Sequence, residues 1–269
     1  MTFRDSPWPD GTPCWADVVV QDRKRAMAFY GGLFGWELAE GGPDTGGYTM
    51  ASVDGRQVAG IAQAMDAAQP ASWTTYLAVS DADKAVAAIE EAGGQIHAPV
   101  MDVLSLGRMA IAADPGGAVF GIWQSGDHTG FQAANRPGTV SWNECMTRDF
   151  DGAKAFYTKV FGLGVSDMSA PGFTYATWTV EGRVVGGVGA LSEDMPAEIP
   201  AHWGTYFSAR DTDAVAAKAV ELGGTLTSPV FDSPQGRIAL LTDDQGAPFR
   251  VIAPNDQSGS PDDWDDIES

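Results

Sequence analysis

Two short stretches each set an indole beside a carboxylate: Trp15-Ala16-Asp17 and Trp142-Asn143-Glu144. Residues two apart on a strand project to the same side, so each stretch offers a flat aromatic platform next to an anion. Such a pair can stack on a planar ligand and attract a cation. Asp17 and Glu144 are also the candidate catalytic residues if the protein is an enzyme, since a carboxyl desolvated in a pocket can serve as a general base. Tyr76 and Tyr206 supply candidate hydroxyls, and Trp123 a further aromatic surface. Arg250 could neutralise Glu144 or hold an anionic group of a ligand. The competing reading has the tryptophans filling the core and the carboxylates paired with a nearby arginine. His97, His128 and His202 share no ligand spacing, so no histidine metal site is expected. No phosphate loop, dinucleotide fingerprint or nucleophile–base arrangement is present.

These stretches are two copies of one pattern. Trp15/Trp142, Asp22/Asp149, Phe29/Phe156, Tyr30/Tyr157, Gly35/Gly162, Tyr48/Tyr175 and Arg56/Arg183 repeat at an offset of 127 residues. A three-residue insertion then shifts the offset to 130, as in Trp73/Trp203, Tyr76/Tyr206 and Asp81/Asp211. Twins that agree report the fold, and twins that differ mark places where the copies can diverge in function. Trp123 faces the smaller Ile252 in this alignment, so the two cavities should differ.

Each copy needs elements that hold these residues on one wall. Alternating strands over 14–20 and 140–147 lead to Asp22 and Asp149, well placed as helix N-caps. The helix that follows carries apolar residues three and four apart and can end at Gly35 or Gly162. Asp54-Gly55 and Glu181-Gly182 signal tight hairpins. A strand over 73–79 or 203–209, a second helix from Asp81 or Asp211, and three short strands complete the copy. The order is β-α-β-β-β, twice per half. One strand of the first unit is not evident, and the region near Ile61–Met65 is the candidate for it. The expected divisions are an N-terminal extension (1–10), a first domain (11–125), a linker (126–137), a second domain (138–254) and an acidic mobile tail (255–269).

Composition limits the partners. The net charge is −20, with 36 acidic against 16 basic residues. That disfavours nucleic acid and anionic membrane, both of which need basic patches. No apolar run is long enough to span a bilayer, and the first ten residues lack the apolar core of a secretion signal, so a cytoplasmic location is expected. Cys14 and Cys145 are too few for a disulfide framework and are expected to be buried thiols. A retained arginine in so acidic a chain is expected to form surface or interdomain ion pairs.

The strand, the capping Asp, the helix ending Phe29-Tyr30-Gly31-Gly32-Leu33-Phe34-Gly35, the Gly93-Gly94 helix end and the Asp114-Pro115-Gly116-Gly117 turn occur in order in the first half, with counterparts in the second. Together they resemble the vicinal oxygen chelate superfamily of glyoxalases, bleomycin-resistance proteins and extradiol dioxygenases. The duplicated form, with its tryptophan-x-acid strands, is similar to two-domain glyoxalase-like proteins often labelled hydroxylases. The resemblance implies an α+β fold of two tandem domains, each with two βαβββ units curving around a cavity. It also implies metal-ligand positions, which fall here on Trp15, Thr74 and Gly121 and on Trp142, Gly204 and Arg250. None of these is a good ligand for a divalent cation.

The leading expectation is therefore a metal-independent protein, without cofactor, that binds a small, flat organic molecule, cationic in one version, as in antibiotic sequestration. The alternative is an enzyme of the same superfamily, a lyase, dioxygenase or polyketide-tailoring hydroxylase. There Asp17 or Glu144 would be a divalent-metal ligand or a general base. A third is action through the surface, with the cavities closed by their own tryptophans. Either a monomer or a homodimer is compatible with the duplication.

Overall fold

The computed structural model describes residues 2–255, so the expected acidic tail lies outside the described residues apart from Asn255. A short strand, β1 (Thr2–Phe3), precedes the first half. That half runs β2 (Pro13–Val20), α1 (Arg23–Phe34), β3 (Glu37–Glu40), β4 (Thr49–Val53), β5 (Arg56–Gln63), β6 (Ser72–Ala78), α2 (Ala82–Glu91), β7 (Gln95–Val103), β8 (Gly107–Ala113) and β9 (Val119–Ser125). Between the halves lies β10 (Ala133–Ala134). The second half runs β11 (Val140–Thr147), α3 (Phe150–Phe161), β12 (Gly164–Asp167), β13 (Tyr175–Val180), β14 (Arg183–Ala190), β15 (His202–Ser208), α4 (Thr212–Glu221), β16 (Thr225–Leu226), β17 (Phe231–Ser233), β18 (Gly236–Thr242) and β19 (Pro248–Pro254).

Each half builds its own mixed sheet. The first has the order β3-β4-β5-β2-β6-β9-β8-β7. The second has β12-β13-β14-β11-β15-β19-β18-β16, with β17 pairing to β18. The tandem α+β architecture is as the sequence implies, and each wall forms within one half. One detail is corrected. The missing strand of the first unit is β3, directly after α1, whereas Ile61 lies inside β5. β3 is short and carries two glutamates, so its edge position leaves little apolar pattern to read.

The local signals act as their chemistry dictates. Asp22 accepts from the backbone N–H of Arg25, and Asp149 from that of Gly152. Asp54 and Gly55 both take positive φ, 52° and 74°, and so do Glu181 and Gly182, at 52° and 78°. Two left-handed residues make a turn whose twist matches the strands it joins.

The halves are clasped by exchanged helices. Tyr30 and Phe34 of α1 pack on Phe249 of β19 and Phe207 of β15, with centroids 5.9 and 4.9 Å apart. Reciprocally, Tyr157 of α3 packs on Phe120 of β9 at 5.6 Å. Hydrogen bonds follow the same exchange. Trp73 Nε1 donates to Tyr30 Oη (2.9 Å), which donates to Asp243 (2.9 Å). Trp203 Nε1 donates to Tyr157 Oη (2.7 Å), which donates to Asp114 (3.1 Å).

Residues 126–137 join the halves in sequence and pack against the N-terminal strand and the first half. β10 pairs with β1, Phe131 N donates to Cys14 O (2.8 Å), and Trp8 Nε1 donates to Phe131 O (3.1 Å). Both cysteines are free and buried. Arg108 and Arg237 make matching ion pairs with Asp83 and Asp102, and with Asp213 and Asp232. Arg56 pairs with Asp5, and Arg25 crosses between the halves to Asp244. Arg183 departs from its twin: one guanidinium nitrogen is buried without a protein partner.

Candidate functional site: twin carboxylate walls

Backbone register aligns the two walls. In the first, Asp17 of β2 stands between Gly60 of β5 and Thr74 of β6, Trp15 pairs with Tyr76, and Tyr76 with Gly121 of β9. In the second, Glu144 of β11 stands between Gly187 of β14 and Gly204 of β15, Trp142 pairs with Tyr206, and Tyr206 with Arg250 of β19. Strand alternation turns these side chains to one face, so one carboxylate sits at the middle of each sheet.

Both carboxylates are buried and hydrogen-bonded by two tyrosines. Tyr48 Oη donates to Asp17 Oδ2 (3.1 Å) and Tyr76 Oη to the same carboxylate (3.2 Å). Trp15 Nε1 donates to Tyr48 Oη at 2.9 Å. The second wall repeats the chain: Trp142 Nε1 to Tyr175 Oη (2.9 Å), Tyr175 Oη to Glu144 Oε2 (2.8 Å), and Tyr206 Oη to Glu144 Oε1 (2.7 Å). The longer glutamate reaches its hydroxyls more closely than the aspartate does. Burial, and the adjacent carboxylates, push all four tyrosines above their usual range, so the hydroxyls stay protonated as donors.

The tyrosines reach the carboxylates because the neighbouring strand lacks a side chain. A Cβ at Gly60 would lie 1.7 Å from Tyr48 Oη, and one at Gly187 would lie 2.0 Å from Tyr175 Oη. Gly187→Ala is therefore expected to expel the Tyr175 hydroxyl and unpair Trp142 Nε1. The cost from overpacking is about 1–3 kcal/mol. A lower urea midpoint with shifted tryptophan emission would bear this out; an unchanged midpoint would count against the packing described.

The walls differ in charge and cover. Burial pushes Asp17 up to about 7, against the two hydroxyls that favour its ionised form. Over Trp15 lie His128, edge-on at 4.4 Å, and Phe131 at 5.4 Å; Trp123 also meets His128, at 5.4 Å, and donates to its carbonyl. His128 Nδ1 lies 2.9 Å from Gln57 Oε1, and burial lowers its pKa to about 4, so the ring is neutral at ordinary pH. On the second wall Arg250 lies over Tyr206 at 5.3 Å, with Nη2 donating to His202 Nε2 at 3.0 Å. No ion pair between Arg250 and Glu144 exists among the described residues: both Glu144 oxygens are taken by tyrosine.

The structure thus brings Trp15, Asp17, Tyr76 and Trp123 together on one wall, and Trp142, Glu144, Tyr206 and Arg250 on the other. Sequence reasoning did not assign Tyr48, Tyr175, His128 or His202 to the walls. Tyr48 and Tyr175 were legible in principle: a twin tyrosine paired with a twin mid-strand glycine signals a close approach. His128 was not, because its twin position lies beyond the second repeat.

The profile of the Glyoxalase/Bleomycin resistance protein/Dioxygenase superfamily matches residues 14–122 and 139–251. The chain belongs to this superfamily. As a member of the superfamily, it resembles the anthracycline biosynthesis protein DauV of Streptomyces sp. (strain C5), 38% identical over 257 residues, covering 90% of this chain and 93% of that one. It also resembles the putative glyoxylase CFP32 of Mycobacterium tuberculosis, 40% identical over 259 residues, covering 94% and 98%. Among solved structures it superposes on the Mn(II)-bound glyoxalase of Novosphingobium aromaticivorans with a TM-score of 0.62 at 14% identity, over 91% of this chain and 83% of that one. The 2,3-dioxygenase LapB of Pseudomonas sp. KL28 gives 0.63 at 13%, over 92% and 94%. At such identities the likeness is one of fold. Among the described residues, no helix is long and apolar enough to cross a membrane.

One of these solved structures is Mn(II)-bound. Each wall holds one acid, already bonded by two protonated phenols. No three His, Cys, Asp or Glu side chains converge among the described residues.

Proposed function

We propose that this superfamily member binds a small, flat organic molecule without a metal, using an indole platform and a tyrosine-bonded carboxylate. The observation that carries this reading is the twice-repeated Trp–Tyr–carboxylate–Tyr chain on the walls where the superfamily resemblance would place metal ligands. Aromatic faces favour planar ligands, and a desolvated carboxylate favours a cationic group on them. The relative named for anthracycline biosynthesis supports a fused-ring aromatic as the ligand class. Sequestration of such a compound is one biological form.

The test is titration with proflavine, a flat cation, against neutral anthraquinone, followed by tryptophan quenching with and without added Mn(II) or Zn(II). Expected are saturable quenching by at least one probe, no metal requirement, and about tenfold or more weakening in Tyr175→Phe or Glu144→Gln. Absence of saturable quenching up to about 1 mM would refute the reading.

A second reading has one specific observation behind it. A carboxyl held at about 7 is matched to proton abstraction at neutral pH, so Asp17 would be a general base in a tailoring reaction. It requires the His128–Phe131 cover to open. Turnover that falls with acid around pH 7 and vanishes in Asp17→Asn would favour catalysis over sequestration.

A further inference from the structure

The twin positions that differ separate the two walls. On the first wall the chain itself occupies the ligand side. Trp15 is only 3% exposed beneath His128 and Phe131. The segment is tied from several directions: Gln57 N donates to Gln132 Oε1 (3.0 Å), Gln132 N donates to Gln57 O (2.8 Å), and Phe131 is held by Cys14 and Trp8. Gly130 takes φ 101°, where a Cβ would lie 2.4 Å from Cys14 O, so the backbone is pressed onto β2.

The second wall is arranged differently. Trp142 is half-buried, and no aromatic ring packs on it among the described residues. Where the first wall has Thr74 and Gly121, it has Gly204 and Arg250, so the bulk has moved by one strand. A Cβ at Gly204 would lie 1.6 Å from Arg250 Nη1: the guanidinium occupies the space that a side chain would take on the strand beside Glu144. His202 orients it. Its Nδ1 lies 2.9 Å from Pro200 O, to which it donates, leaving Nε2 as an acceptor for Arg250. Burial, then the nearby guanidinium, keep His202 below its ordinary pKa and hence neutral. Among the described residues no carboxylate pairs with Arg250, and its Nε and Nη1 make no protein hydrogen bond. A half-buried, aligned guanidinium without a counter-ion is a ready donor fork for an anionic oxygen.

We infer that the second wall is the working binding face and takes a planar molecule bearing an acidic oxygen (carboxylate, phenolate or enolate) on Arg250, while residues 126–137 cover the first wall. This rests on the planar-ligand reading above, narrows it to one site, and replaces its cationic version with an anionic ligand. Trp142 stacks on the ring system, and Arg250 takes the oxygen.

The experiment compares anthraquinone-2-carboxylate, its carboxamide and 2-(aminomethyl)anthraquinone by calorimetry and tryptophan quenching on the full chain. Expected are one site per chain and a carboxylate bound about tenfold or more tighter than the carboxamide. In Arg250→Met that preference falls to within about threefold, and Arg250→Lys restores part of it. Thermal unfolding of each variant verifies that it is folded. Two sites per chain, a preference unchanged in folded Arg250→Met, or tightest binding of the amine would each overturn the inference while leaving planar binding intact. No binding by any of the three would overturn both.

Discussion

Asp17→Asn is expected to stabilise the protein at pH 8 while changing it little at pH 4. The Asp17 carboxyl goes from an ordinary value of 3.8 to about 7 on folding, because it is buried and its hydrogen-bond donors among the described residues are two neutral phenols. A carboxyl raised in this way favours the native state below its unfolded value. That contribution is lost as pH rises through the folded one. The interval of roughly three units, at about 1.4 kcal/mol each, amounts to about 4 kcal/mol spent between pH 4 and 7. Asparagine keeps an oxygen acceptor for Tyr48 and Tyr76 and carries no charge to desolvate. The difference in unfolding free energy between variant and wild type should therefore grow by several kcal/mol from pH 4 to pH 8. Asp114 and Asp243 are also shifted upward, but they are common to both proteins and cancel. Urea unfolding of the pair at the two pH values decides the matter; an equal difference at both would mean that Asp17 titrates normally.

Tyr30→Phe and Tyr157→Phe are expected to weaken the clasp between the halves. Each hydroxyl accepts from a tryptophan of its own half and donates to an aspartate of the other. Phenylalanine keeps the ring contacts with Phe249 or Phe120 and leaves an indole N–H unpaired in the interior; Tyr30→Phe also strips Asp243 Oδ2 of its donor, whereas Asp114 Oδ2 keeps the weak Cys145 Sγ–H contact at 3.7 Å. Such unmet groups cost about 1–3 kcal/mol. At roughly 2–4 °C per kcal/mol for a chain of this size, each variant should unfold about 2–12 °C lower. The positions lie on opposite sides of the pseudo-repeat, so the double variant should be close to additive. A loss under 1 °C in both singles would show that the exchanged hydroxyls do not hold the halves together.

These two cases also separate the kinds of information in the chain. Tyr30 and Tyr157 stood out in the sequence as parts of a helix repeat, and the helix formed there. Periodicity gives the face that a helix buries but not the surface that it meets. Only the assembled molecule shows that each helix packs on the other half. Similarly, two-residue spacing placed Trp15 with Asp17 and Trp142 with Glu144, and the carboxylates proved to be bonded by tyrosine rather than arginine. Tyr48 and Tyr175, 31 residues from their carboxylates, reach them only through strand pairing across a glycine.

By itself, the sequence determined what local physics controls: the duplication, the capping aspartates, the Asp-Gly and Glu-Gly hairpins, the strand faces carrying the carboxylates, and the α+β superfamily fold. β3 escaped it because an edge strand of four residues carries little pattern. The tertiary structure decided everything that depends on contacts between distant segments. It set which face residues 126–137 cover, where Arg250 lies, and how far burial shifts Asp17. Burial and charge environment are sums over neighbours that only folding brings together, so twin residues with equivalent sequence positions ended in unlike surroundings.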